Sequence, residues 1–225
     1  MKPKPWSFTH WDEFVACPRL FHEKRIAKTI SEPPSPQMAY GIRVHDAFEK
    51  RQKGNKEPLP IDLADHEPFM QQLDNLHGTG FAELEACMTI SLKPCGFWDK
   101  DVWLRQKIDY LKLMPKMAYI VDYKTGNPNY PKFEQLQLNA LQTFIAHPQV
   151  QAIKAEFYWT QTHETSKSLL IQRDEQGTLW HKFIPALNQM RAAYETETWQ
   201  PRQNFRCNGF CPLTDCEFWK PKRVK

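Results

Sequence analysis

Apolar residues recur every three or four positions between Ser7 and Lys28, at Phe8, Trp11, Phe14, Val15, Leu20 and Ile26. With Thr9 and Asp12 in capping-box-like spacing, this pattern predicts a helix. The proline-rich run from Glu32 to Gln37 breaks it; a second helix is expected over Met38 to Lys53, stopped by Gly54, and a third over Leu63 to Leu76. The period then shortens toward two. Glu83 to Leu92, Val102 to Leu113 and Met117 to Thr125 read as three strands with Gly96 and Pro115 in the turns, an antiparallel meander. Phe133 to Ala146 returns to helical spacing and Ala152 to Thr160 to strand character, and a helix between strands calls for a right-handed crossover. Leu169 to Gln172 adds an edge strand, and Leu179 to Glu197 a helix ended by Pro201. The expected class is α/β, a central mixed sheet with a meander, flanked by helices. No linker separates independent domains, so one domain is expected over 1–225, with a helical part at 1–80, a sheet-bearing core at 81–200 and a C-terminal segment at 201–225. Residues 54–80 and 161–178 carry no readable motif.

Composition narrows the class. Hydrophobic residues make up 41% of the 225 and charged residues 25%, which argues against a disordered tail protein. No apolar run approaches the roughly 18 residues of a membrane span, and the segment from Met1 to Phe14 lacks the apolar core of a signal peptide. The expected location is a reducing cytoplasm, where six cysteines read as metal or cluster ligands or buried apolar groups rather than disulfides. The net charge of +4 sits at the ends: residues 1–30 carry +3 and residues 201–225 carry +4, leaving the middle at −3. Basic ends suit a polyanion and an acidic centre suits a divalent cation, although ordinary solvated charge gives the same count.

The acidic centre has a definite shape. Asp109 lies on the second strand, and the third ends in Val121-Asp122-Tyr123-Lys124-Thr125-Gly126. Side chains two apart on a strand share a face, so Asp122 and Lys124 project together, and an antiparallel neighbour brings Asp109 beside them. Carboxylates this close repel unless a cation sits between them, and a lysine there can act on attacking water or on developing phosphate charge. Asp122 to Lys124 is the chain's only acid-x-Lys. Alone it fits a surface salt bridge at a strand end equally well.

The succession Gly41-Ile42-Arg43-Val44-His45, Asp109, Asp122-Tyr123-Lys124-Thr125-Gly126 and Gln135-Leu136-Gln137-Leu138 resembles the PD-(D/E)XK nuclease superfamily. Its nearer likeness is to the branch containing the RecB and AddB nuclease domains and the CRISPR-associated adaptation nucleases. The opening from Ser7 to Phe21, with Ala16-Cys17-Pro18-Arg19-Leu20-Phe21, is similar to that branch's first helix. The resemblance spans residues 7 to about 219. It implies a restriction-endonuclease-like core and a divalent-metal-dependent deoxyribonuclease that hydrolyses phosphodiesters with metal-activated water. An exonuclease on single strands or free DNA ends is expected, in a stand-alone phage-type setting. His45, Asp109, Asp122 and the Tyr123 backbone carbonyl would bind the metal and Lys124 would be catalytic. Gln135 matches the glutamine of the Q-x-x-x-Y motif, with Gln137 as an alternative, while Asn139 stands at the tyrosine position. Glu85 is a further acid on the first strand near the site, although the pattern reads more readily as an exposed strand carboxylate. An imidazole among oxygen ligands suits manganese better than magnesium alone. Proteins of recombination, replication or CRISPR adaptation are the partners this likeness implies. A catalytically silent DNA-binding or assembly module with the same fold is the alternative.

Cys207, Cys211 and Cys216 fall in a polar, turn-rich tail that something other than apolar packing must order, with Cys17 as a fourth thiol near the start. In the branch named above, one early and three late cysteines hold a four-iron, four-sulfur cluster that staples the C-terminal segment to the first helix. The family commonly has two then five residues between the late cysteines; here there are three then four. A four-cysteine zinc site is the alternative, disfavoured by the lack of a Cys-x-x-Cys pair, and unliganded thiols are the third reading. Cys87 and Cys95 read as structural. Trp6, Trp11, Phe205, Phe210, Phe218 and Trp219 flank these regions and suit either core packing or base stacking.

Overall fold

The computed structural model describes residues 5–31, 33, 35–54 and 57–222. Glu32 and Pro34 of the proline-rich break, and Lys2, Lys4, Arg223 and Lys225 of the basic ends, lie outside the described residues. In chain order the elements are α1 (Phe8–Ala16), α2 (Pro18–Phe21), α3 (Pro36–Gln52), α4 (Glu67–Asn75), β1 (Thr79–Thr89), β2 (Val102–Leu113), β3 (Met117–Lys124), α5 (Phe133–Ala146), β4 (Ala152–Trp159), β5 (Glu164–Thr165), β6 (Leu169–Gln172) and α6 (Gln176–Thr196). The chain divides into two compact units, one made of Pro34–Leu179 and the other of Met1–Pro33 with Trp180–Lys225.

The larger unit holds a six-stranded sheet in the order β1-β2-β3-β4-β5, with β6 also paired to β4. The meander β1-β2-β3 is antiparallel, and β4 returns parallel to β3 through α5. This is the mixed α/β architecture that the periodicity predicts. Tyr119, Val121 and Tyr123 alternate along β3 and pack with Val44 and Phe48 of α3 and Met70 and Leu73 of α4. The residues between them turn the other way, and α5 reaches one of these, Asp122, through Gln135. β1 starts earlier than its hydrophobic pattern shows because of Gly78, whose φ is +108° and where any Cβ would sit 2.2 Å from the Leu113 carbonyl oxygen. Only glycine lets the chain enter the strand there.

In the smaller unit the expected first helix is three pieces: α1, α2 and a π-helical turn over His22–Ile26. Its N-cap is Ser7, whose side chain accepts from His10 N–H, rather than Thr9. The break follows from Pro18, which excludes helical geometry at the preceding residue; Cys17 is extended, with φ −166° and ψ 108°. Phe14, Phe21, Met190, Ala193 and Tyr194 form a core there, with Trp199 packed against it. Helix α6 begins three residues before the periodic pattern, because a turn over Arg173–Glu175, capped reciprocally by Gln172 and Glu175, leads into it. Among the described residues no helix is long and apolar enough to cross a membrane.

Candidate active site

The site grows from the place where two strands part. The pairing of β2 with β3 ends at Tyr110 and Val121, while β3 stays paired to β4 through Lys124. The backbone groups of Tyr123 are left without a β2 partner and need other ones. Its N–H donates to Asp109 Oδ2 at 2.7 Å, and its carbonyl oxygen lies 3.2 Å from His45 Nε2 on α3. One residue of strand thus fixes an acid and a histidine. His45 Nδ1 then faces Asp109 Oδ1 at 3.6 Å and Glu83 Oε1 at 3.5 Å. Among the described residues, His45, Glu83 and Asp109 are the group whose ligand atoms lie within 4.8 Å of one another, an arrangement that can hold a metal ion.

Asp122 and Lys124 project on the same face of β3, as the two-residue period requires. Asp122 is 1% exposed. Gln135 Nε2 donates to Asp122 Oδ2 at 2.6 Å while its Oε1 accepts from Lys124 Nζ at 2.8 Å, so one amide fixes both. Lys124 Nζ also lies 2.5 Å from Asp122 Oδ1, but off the hydrogen-bond direction, and that buried oxygen accepts no hydrogen bond. Gln135 thus lies with Asp122 and Lys124, and Gln137 is not among these contacts. Asn139 does not reach this group: it is fully buried, and its Oδ1 accepts from Gln106 on β2.

Charge explains why a cation fits. Burial raises Asp109 and the neighbouring Asp122 charge raises it further, to about 7. Burial alone would lower His45, but the hydrogen bond to Glu83 and the charges of Asp109 and Asp122 outweigh it and push the imidazole up to about 9. Glu83 is held low, first by its bond to His45. The imidazolium proton fills the role a bound cation would take, and Asp122 Oδ1, paired with the Lys124 ammonium at 2.5 Å, is a further carboxylate oxygen beside the group. An imidazole among carboxylates and a carbonyl is a hard, mostly oxygen donor set of the kind a divalent ion accepts.

Glu83 was not legible as a site residue. It shares its face of β1 with Glu85, and nothing in the sequence separates the two. Its backbone does: φ is +49°, and the pairing register passes from Ala82–Tyr110 to Leu84–Ile108 without it. A non-glycine residue in the left-handed region inside a strand marks stored strain at a working position. Glu85 is simply exposed.

The four cysteines fall together in the smaller unit. Helix α1 ends at Ala16, so its last carbonyls need donors. The tail supplies them: Arg202 donates to the Val15 carbonyl, and Asn204 Nδ2 to that of Ala16 at 2.9 Å. The Arg202 N–H lies 3.5 Å from Cys17 Sγ, and Arg19 pairs with Asp215 at 2.7 Å. Burial raises the Cys211 thiol, and Cys207, Cys17 and Cys216 are near enough to raise it further. The four thiols are nevertheless wider apart as a group than the 4.8 Å within which the carboxylate group closes. Cys87 and Cys95 belong to the larger unit, where Cys95 N–H donates to the Cys87 carbonyl at 3.3 Å. Trp6 is buried and Trp11 packs on Phe183, whereas Phe205 and Phe210 are exposed.

A mixed sheet whose third strand ends in an acid-x-Lys pair, flanked by a histidine and two more carboxylates, is the layout of a nuclease. The family model of the PD-(D/E)XK nuclease superfamily matches residues 77–216, and the chain belongs to that superfamily. A crystal structure from Eubacterium rectale described as a "putative exonuclease" is similar in fold, with a TM-score of 0.57 at 11% identity over 98% of this chain and 91% of that one. A crystal structure of a protein named SSO0001 aligns with a TM-score of 0.49 at 14% identity over 98% and 90%. No curated protein matches the sequence significantly.

Proposed function

We propose that the chain is a divalent-metal-dependent deoxyribonuclease, an exonuclease acting on free DNA ends or single strands, with its two units working as one nuclease domain. The observation that carries this is Asp122, buried between Lys124 and Gln135 beside the His45, Glu83 and Asp109 group. His45, Glu83, Asp109, Asp122 and the Tyr123 carbonyl would hold Mg2+ or Mn2+. Such an ion supplies a water of lowered pKa and polarises the phosphoryl oxygen. The chain's own residues do the rest. Lys124 presents an ammonium, 29% exposed on its side chain, to the charge that develops on the phosphate. Gln135 keeps that ammonium and the Asp122 carboxylate from drifting apart, and Asp109 holds the strand end through the Tyr123 N–H.

In the smaller unit Cys17, Cys207, Cys211 and Cys216 would hold a four-iron, four-sulfur cluster, with zinc as the alternative. The RecB/AddB-like branch, a stand-alone phage-type setting, the cytoplasm and partners in recombination, replication or CRISPR adaptation go with that reading. Asn139, buried and bound to Gln106, favours one second reading, a DNA-binding module without cleavage. Incubating linear and covalently closed circular DNA, single- and double-stranded, with Mg2+ or Mn2+ separates these. Loss of linear DNA alone supports the exonuclease; cutting of circles makes it an endonuclease; no cleavage by folded, metal-loaded protein favours the binding module. Absorbance near about 400 nm with matching iron content in anaerobically purified protein supports the cluster, and stoichiometric zinc without iron overturns it.

A further inference from the structure

The strand β2 carries a second feature on the face that bears Asp109. Val102, Leu104, Gln106 and Ile108 are buried, whereas Trp103, Arg105, Lys107 and Asp109 are half-buried or exposed. By the two-residue period these four share one face. Lys107 lies beside Asp109, its Nζ 3.7 Å from Glu83 Oε2. Arg105 comes next, about 14 Å from Asp109 along the strand. Among the described residues no carboxylate lies within ion-pair reach of Arg105, and its Nε is buried without a hydrogen-bond partner. Two rings of the β1–β2 turn clasp its guanidinium instead: Phe97 at 4.7 Å and Trp98 at 5.0 Å. Trp98 is nonetheless 81% exposed, an indole held in place by a cation and left open to solvent.

The guanidinium has two rings and no carboxylate against it, so it can still accept an anion, and the indole it holds in place stays open on its solvent side. We propose that this hairpin face is a track for a single-stranded nucleic acid, with a base stacked on Trp98, a backbone phosphate on Arg105, and the strand continuing past Lys107 to the carboxylates. Aromatic platforms beside cations recognise unpaired bases because every base offers a π-face, while bases inside a duplex are already stacked. The occupant is therefore single-stranded. Asp99 and Asp101 also lie in the turn, so net charge cannot produce the preference, and stacking must. The proposal rests on the nuclease reading for its direction but not for its binding.

The test uses full-length protein carrying Asp122→Asn, to prevent cleavage, and measures anisotropy of a fluorescein-labelled oligothymidylate and of a labelled blunt duplex at two salt concentrations. Trp98→Ala in that background should weaken oligothymidylate binding about tenfold, as loss of one stacked base does, with duplex affinity unchanged and Trp98→Phe restoring most of it. Arg105→Gln should flatten the salt dependence by about one unit of slope. Equal binding of the oligothymidylate with and without Trp98, at an unchanged unfolding temperature, overturns the track even if the enzyme cleaves DNA. Trp98-dependent binding in a protein that proves unable to cleave supports the track and removes only the nuclease reading.

Discussion

Metal binding at this site should be a contest with protons. His45 is pushed up to about 9, so at neutral pH its imidazole is charged and held by Glu83, Asp109 and the Tyr123 carbonyl. A divalent ion needs that ring neutral. Each pH unit below 9 costs about 1.4 kcal/mol, so at pH 7 affinity falls about 100-fold below its high-pH limit. Asp109, pushed up to about 7, adds a second proton below neutrality. Apparent affinity for Mn2+ should therefore rise about tenfold from pH 7 to pH 8 and more steeply between 6 and 7. Calorimetry in buffers of different ionisation enthalpy counts the protons directly: about one released per Mn2+ at pH 8 and close to two below pH 7. His45→Asn should remove the imidazole's share of the release at pH 8, leaving only what Asp109 gives up once the neighbouring imidazolium no longer lowers it. No proton release at pH 8, or equal affinity at pH 7 and pH 8, would refute the electrostatic account of His45.

Three further outcomes test the rest of the structure. Gln135→Leu removes the amide that ties Asp122 to Lys124, and the resulting misplacement should lower cleavage about 100-fold with the unfolding temperature little changed. His66 is lowered chiefly by burial and then by His163, so it stays neutral when folded while the unfolded chain takes up a proton as pH falls through about 6.5. Its contribution is present above that value and lost below it. In chemical denaturation, the stability difference between wild type and His66→Phe should shrink between pH 7.5 and pH 5.5, and a constant difference would remove His66 as the cause. Gly209 has φ +83° and a would-be Cβ 2.5 Å from Lys222 N, so Gly209→Ala should cost more than about 1 kcal/mol in chemical denaturation, and an unchanged midpoint would remove this glycine as a constraint.

Hydrophobic period located β2 and α5 to the residue, because each is long and bounded by turn chemistry. The two-residue period also put Asp122 and Lys124 on one face of β3, whereas Gln135 came from the family resemblance and meets them through the helix that follows. Three features were not legible, each set by something the period does not encode. The break at Cys17 depends on one proline overriding an otherwise helical run. The choice of Glu83 over Glu85 depends on a single left-handed backbone angle in β1. The fate of Asn139 depends on Gln106, which lies 33 positions away in sequence and meets it only once α5 is laid across the sheet. Nor did the strand pattern show that Arg105 would lack a carboxylate, because that is a property of what β1 places opposite it.

The most direct measurement is degradation of end-labelled single- and double-stranded linear DNA by anaerobically purified protein with Mg2+ or Mn2+, wild type beside Asp122→Ala. The account predicts metal-dependent loss of label that the substitution abolishes while the fold survives, with the product ladder giving the polarity. Cleavage undiminished in Asp122→Ala, or none at all from folded, metal-loaded wild-type protein, would contradict it.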